Sequence, residues 1–113
     1  MEGKKSEVEV AKEAYEQCHG KLQNLHNMMR SVSDSMRRSE LTLQELERLD
    51  NSTPTYKSVG RIFLKAPINE IKEDLVYAYT KSKEKSTTLE AQRPRLETDF
   101  KTSLEHYQTL VRQ

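Results

Sequence analysis

From Val8 onward the chain carries a narrow apolar seam at alternating steps of three and four: Val8, Ala11, Tyr15, Cys18, Leu22, Leu25, Met29, Val32 and Met36, continuing through Ser39 to Leu43 and Leu46. A spacing near 3.5 residues keeps one stripe of a helix turned toward a partner, and about five heptads of it make a coiled-coil strand. So narrow a stripe buries itself against another helix rather than against a sheet. A second seam opens after Pro67 with Ile68, Ile71, Leu75 and Ala78. It runs thinly through Ser82 and Lys85, resumes at Leu89 and Leu96, and then slips in phase to Phe100, Leu104, Tyr107 and Val111, with Leu110 alongside.

The two seams fit each other in reverse. When two helices fold back antiparallel, facing residues have numbers with a constant sum. Leu22 with Leu96, Met29 with Leu89, Leu43 with Leu75 and Val8 with Leu110 all add to 118. This favours an antiparallel pair within one chain over a parallel dimer.

Helix breakers divide the chain further. Gly20 sits mid-helix, and Ser31, Ser33, Ser35 and Ser39 lower the local propensity. The first helix is therefore predicted over 4–38, with a break near Ser39 and a short second helix over 41–50. Asp50-Asn51-Ser52-Thr53-Pro54 is dense in turn formers and ends it. Pro67 suits the first position of a helix predicted over 67–111. Pro94, inside that helix, removes a hydrogen bond and crowds the Glu90 carbonyl, so a kink is expected there.

Between the helices, the run from Thr55 to Pro67 reads as β-structure. Tyr56, Val59, Ile62, Phe63 and Leu64 are strand formers, and Gly60 near their middle is the turn residue, which predicts one hairpin over 55–66. An isolated two-stranded hairpin is marginal in water and leaves unpaired edges. Either other chains complete it, or it folds back onto its own helices. The architecture expected is mainly α: a single domain over 1–113, a long antiparallel two-helix coiled coil with one β-hairpin at the bend, its two ends together.

Composition excludes several function classes. Nineteen Lys and Arg against eighteen Asp and Glu leave a net charge of +1, with the signs interspersed, so the basic field that nucleic acid or an anionic membrane needs is missing. Arg30, Arg37 and Arg38 read as a solvated face. Cys18 is the only cysteine, which leaves no intrachain disulfide and no zinc cluster. No apolar run approaches the ~18 residues of a membrane span, and Met1-Glu2-Gly3-Lys4-Lys5 opens no signal peptide, so a cytoplasmic location is expected.

Nor does the chain assemble a reactive site. His19 and His26 lie two turns apart, too far to chelate one metal, and His106 pairs with neither. Cys18 and His19 point about 100° apart on a helix. No phosphate loop or nucleophile elbow is present, and two paired helices have no pocket in which to desolvate a carboxylate. The chain reads as a non-enzyme with no cofactor and no metal. What remains are the ends of the coiled coil, where Val8, Val10, Ala11, Ala14 and Tyr15 lie opposite Tyr107, Leu110 and Val111. Fraying there would offer apolar groups to outside partners, whereas ordinary terminal packing would hide them.

Tyr56-Lys57-Ser58-Val59-Gly60-Arg61-Ile62-Phe63-Leu64, set between two coiled-coil arms, resembles the hairpin signature of β-class prefoldin subunits. Its Val-Gly-Arg-x-Phe core is most similar to the subunit 1 branch. As residue identity the likeness is specific across the hairpin and the approach from Leu41 to Leu49; as architecture it spans nearly the whole chain. It implies a heterohexamer of two α-class and four β-class subunits, in which hairpins assemble into β-barrels and the coiled coils hang free. Tyr56, Val59, Gly60, Ile62, Phe63 and Leu64 would then build the barrel, and Val8, Val10, Ala11, Ala14, Tyr15, Tyr107, Leu110 and Val111 would touch clients. Clients in the eukaryotic branch are unfolded polypeptides, chiefly actin and tubulin, delivered to the cytosolic chaperonin without ATP use. Nothing in the family pattern requires Pro94. A structural coiled-coil adaptor that scaffolds folded partners is the alternative.

Overall fold

A computed structural model of the chain describes residues 6–113. The predicted start of the first helix at residue 4 and the leader-free reading of residues 1–5 lie outside the described residues. Helix α1 spans Glu7–Glu47, strand β1 Tyr56–Val59, strand β2 Ile62–Lys65, and helix α2 Ile68–Arg112. Two long helices with a two-stranded antiparallel hairpin between them is the expected architecture.

Ser6 caps α1. Its hydroxyl oxygen accepts a hydrogen bond from the Glu9 amide at 3.1 Å, and Glu7 and Glu9 place negative charge in the first turn, where the helix dipole favours it. The helix runs for 41 residues without the predicted break at Ser39, so no separate helix covers 41–50. Each serine costs only about half a kcal/mol of propensity. Ser35, Met36, Ser39, Leu43 and Leu46 are the less exposed residues of that stretch, and packing along the seam outweighs the deficit. The final turn then tightens, with Leu49 N–H donating to the Leu46 carbonyl at 3.1 Å, and the Asp50–Thr53 turn ends the segment.

Helix α2 keeps a regular seam where a phase slip was predicted. Its less exposed positions are Ile68, Ile71, Leu75, Tyr79, Ser82, Ser86, Leu89, Arg93, Leu96, Phe100, Ser103, Tyr107 and Leu110, with Lys72 and the predicted Leu104 half-buried beside the repeat, whereas the predicted Val111 is exposed. Tyr79 and Ser86 thus replace Ala78 and Lys85, which are exposed. Arg93 carries the repeat past Leu89 with its aliphatic stem while its guanidinium reaches Glu90 and Glu97. Pro94 lies inside the unbroken helix on an exposed position, so the Glu90 carbonyl that loses its partner remains open to solvent.

The chain groups into two compact units, one of the segment up to Arg30 with Thr87–Gln113, the other Ser31–Ser86. In the first, α1 and α2 run antiparallel. The rings of Tyr15 and Tyr107 lie 5.0 Å apart, Cys18 Sγ is 3.5 Å from Ser103 Oγ, and the rings of His19 and Phe100 are 5.5 Å apart. These partners have numbers adding to 122, 121 and 119, against the 118 read from the leucines. The contacts thus depart from that register by up to one turn, and they pair ring with ring and small side chain with small. Ala11 and Leu25 are its buried α1 residues and Leu89 its buried α2 residue.

In the second unit the core is small: Val32, Ala66 and Ile68 are the buried apolar residues. Thr55 and Ala66 close the base of the hairpin reciprocally. The Ala66 amide donates to the Thr55 carbonyl at 3.0 Å and the Thr55 hydroxyl donates to the Ala66 carbonyl at 2.6 Å. The pair hands the chain directly from strand to helix, where Glu70 and Ile71 amides donate to the Pro67 carbonyl.

Candidate functional site

The hairpin pairs Tyr56 with Lys65, Lys57 with Leu64, Ser58 with Phe63 and Val59 with Ile62. That register leaves a two-residue loop of Gly60 and Arg61. Gly60 has φ 61° and is the only one of the described residues at positive φ, the pattern of a type II′ turn, whose twist matches that of the strands. A Cβ at Gly60 would meet nothing within 4 Å, so glycine is required for backbone conformation and not for room.

Alternation puts Tyr56, Ser58, Phe63 and Lys65 on one face and Lys57, Val59, Ile62 and Leu64 on the other. Both faces are open. Tyr56 is 58% exposed, Val59 48%, Ile62 57%, Phe63 73% and Leu64 44%. Of the two expected arrangements, a hairpin packed onto its own helices is therefore not the one observed. Lys57 alone among these strand residues is half-buried; its ammonium lies 3.1 Å from the Glu70 carboxylate and 3.9 Å from that of Asp74 on α2. Among the described residues the sheet has only these two strands, so each has an outer edge without a strand partner.

The terminal residues divide into two sets. Ala11 is buried, and Tyr15, Tyr107 and Leu110 are half-buried, with the two tyrosines in ring contact. Val8, Val10, Ala14 and Val111 are exposed. The structure thus brings all eight into one compact unit but presents only the second set to solvent. Sequence reasoning missed Val76 and Tyr77, large apolar residues exposed on α2. Their adjacency was the available signal, because a narrow seam cannot bury two successive residues.

Among the described residues no group of three or more His, Cys, Asp or Glu is placed to hold a metal ion, and no helix is long and apolar enough to cross a membrane. Shallow hollows lie beside the base of the hairpin, lined by Pro54, Thr55, Ala66 and Pro67, and between Leu25, Met28, Gln92 and Leu96.

The family profile for the prefoldin subunit matches residues 5–113. The prefoldin subunit beta of Archaeoglobus fulgidus is 32% identical over 100 residues, covering 85% of this chain and 83% of that protein. Prefoldin subunit 1 of Arabidopsis thaliana is 46% identical over 48 residues, covering 42% of this chain and 38% of its own length. The crystal structure of the prefoldin beta subunit from Thermococcus strain KS-1 shares the fold, with a TM-score of 0.79 at 20% identity over 100% of this chain and 99% of that one. A profile match over nearly the whole length, joined to a relative above the 30% level across most of both chains, shows that this chain belongs to the prefoldin family, a family of chaperone subunits that partner other subunits of the same kind.

Proposed function

We propose that the chain is a β-class subunit of a cytoplasmic heterohexamer with two α-class and three further β-class partners, and that it works without ATP, cofactor or metal. Hairpins from several subunits close into barrels, with Tyr56, Val59, Gly60, Ile62, Phe63 and Leu64 supplying this chain's share. The observation that carries the reading is the exposure of apolar side chains on both faces of an edge-bearing hairpin. Such a surface is unstable in water unless other strands cover it.

The complex binds non-native polypeptides, actin and tubulin among them, and passes them to the cytosolic chaperonin. Capture rests on several weak apolar contacts, one set per subunit, made here by Val8, Val10, Ala14 and Val111 together with Ala11, Tyr15, Tyr107 and Leu110 once the terminal turns open. Linking the contacts makes their sum tight while each stays quickly reversible. Charged residues around them keep the empty ends soluble.

Co-expression with the partner subunits tests both halves. Phe63→Asp is expected to abolish the hexamer by native mass measurement, and an intact hexamer would refute the barrel role. Removing residues 1–15 and 107–113 is expected to leave assembly intact and abolish suppression of client aggregation. Full suppression by that variant would show that the ends do not carry capture. Binding that favours folded over denatured targets would instead establish a structural adaptor.

A further inference from the structure

Asp50-Asn51-Ser52-Thr53-Pro54, between α1 and β1, belongs to neither helix nor strand. The hydrogen bond that closes it runs from the Thr53 amide to the Asp50 carbonyl at 2.9 Å. Asp50, Asn51, Ser52 and Pro54 are exposed and Thr53 is half-buried. A segment held this loosely opens locally while the helices stay folded.

Thr53 is the one hydroxyl-bearing residue of the chain directly before a proline, since Pro67 follows Ala66 and Pro94 follows Arg93. Pro54 pushes Thr53 toward extended backbone and brings no N–H of its own. Both properties suit an enzyme that draws an acceptor hydroxyl into its cleft on an extended strand. Where that cleft is apolar just past the acceptor, any other residue buries an amide without a partner, and proline avoids the loss. Neighbouring hydroxyls fit less well: Thr55 is buried and donates to the Ala66 carbonyl at 2.6 Å, Ser58 lies within β1, and Ser52 precedes a threonine.

Thr53 also lines a hollow of about 410 Å³ together with Pro54, Lys65 and Ile68, which leaves ample room for a phosphoryl group. Lys57, the other strand lysine, is committed to Glu70 and Asp74 on α2, whereas Lys65 is exposed. We propose that Thr53 is a phosphorylation site for a proline-directed protein kinase and that Lys65 holds the resulting phosphate in that hollow. In the transfer, Thr53 Oγ1 bonds to the γ-phosphorus of the MgATP carried by the kinase and the bond from that phosphorus to the β,γ-bridging oxygen breaks. ADP leaves, and the hydroxyl proton passes to the kinase's catalytic carboxylate. The product places nearly two negative charges and three acceptor oxygens just ahead of β1, in place of a neutral hydroxyl.

The folded full-length chain, incubated with MgATP and an active mitogen-activated protein kinase, provides the test, with the modified residue located by tandem mass spectrometry. One phosphate, at Thr53, is expected. Pro54→Ala is expected to slow the reaction by about tenfold or more, the penalty of one stranded amide. Thr53→Ala is expected to abolish it, and Thr53→Ser to retain it, which separates loss of the acceptor from loss of the fold. Modification confined to other residues, an unchanged rate for Pro54→Ala, or modification only after unfolding in urea overturns the site. The holding role is read from the phosphorus-31 chemical shift of the phosphorylated chain followed against pH, with Lys65→Met beside it. A nearby ammonium favours the dianion, so the wild-type phosphate is expected to titrate about 0.5 pH below that of the variant. Coincident curves overturn the assignment of Lys65 and leave the acceptor to be judged by the mass spectra alone.

Discussion

Tyr15 of α1 and Tyr107 of α2 meet ring to ring, with centroids 5.0 Å apart and planes tilted by 38°. The contact joins the two terminal segments of the chain and gives the first unit an aromatic clasp above Cys18 and Ser103. It also divides the apolar groups there into those in use and those left open.

A double-mutant cycle with Tyr15→Ala and Tyr107→Ala should return a coupling of about 1 kcal/mol, the usual worth of a tilted aromatic pair beyond its buried area. Urea unfolding of the two single variants and the double variant measures it. Strict additivity would mean that the rings touch without stabilising each other.

Gly20→Ala should stabilise the chain by about 1 kcal/mol, since alanine gains that much helix propensity. Gly20 is exposed within α1 and a Cβ there would meet nothing within 4 Å, so no clash offsets the gain. An unchanged or lower urea midpoint would require a use for that glycine that its surroundings do not reveal.

Pro94→Ala should raise stability by up to about 3 kcal/mol, because it restores the hydrogen bond to the Glu90 carbonyl and removes the ring from the helix interior. Arg93 keeps its bridges to Glu90 and Glu97 in the variant, so thermal unfolding reads the backbone change alone. A fall in melting temperature would show that the proline is favourable in its present setting.

Gly60→Ala should cost about 1 to 2 kcal/mol through strain at positive φ, with no steric contribution. The loss belongs to the hairpin and should surface as weaker assembly with partner subunits, with helix content unchanged by circular dichroism. Assembly at the original strength would mean that the turn has another conformation open to it.

Much of this architecture was legible in the residues. Every α1 seam position from Ala11 to Leu46 is among the less exposed residues of the helix, because a 3.5-residue spacing leaves little choice of inner face. Only Val8, at the first turn, falls outside. The hairpin was equally plain, since strand formers around a glycine have few other uses. What escaped was decided by packing between helices with unequal side chains. Apolarity marked Ala78 as inward, yet Tyr79 takes the place, and Arg93 continues the seam despite its charge because its stem is hydrocarbon. Ser39 looked like a break since propensity is local, whereas the burial that overrides it is not. At the candidate site the hairpin residues could be named in advance, and the adjacency of Val76 and Tyr77 signalled that both cannot join the seam, but how far each stands exposed depends on how far the strands cover α2.

The open hairpin also bears on how much of this polypeptide a cell can tolerate. Strands with greasy side chains on both faces and unsatisfied edges make an orphaned copy a seed for aggregation, and the hazard climbs steeply with abundance. With assembly through the hairpin as proposed, expression of the chain would be bounded by the supply of its mates, and any surplus would fall to quality control.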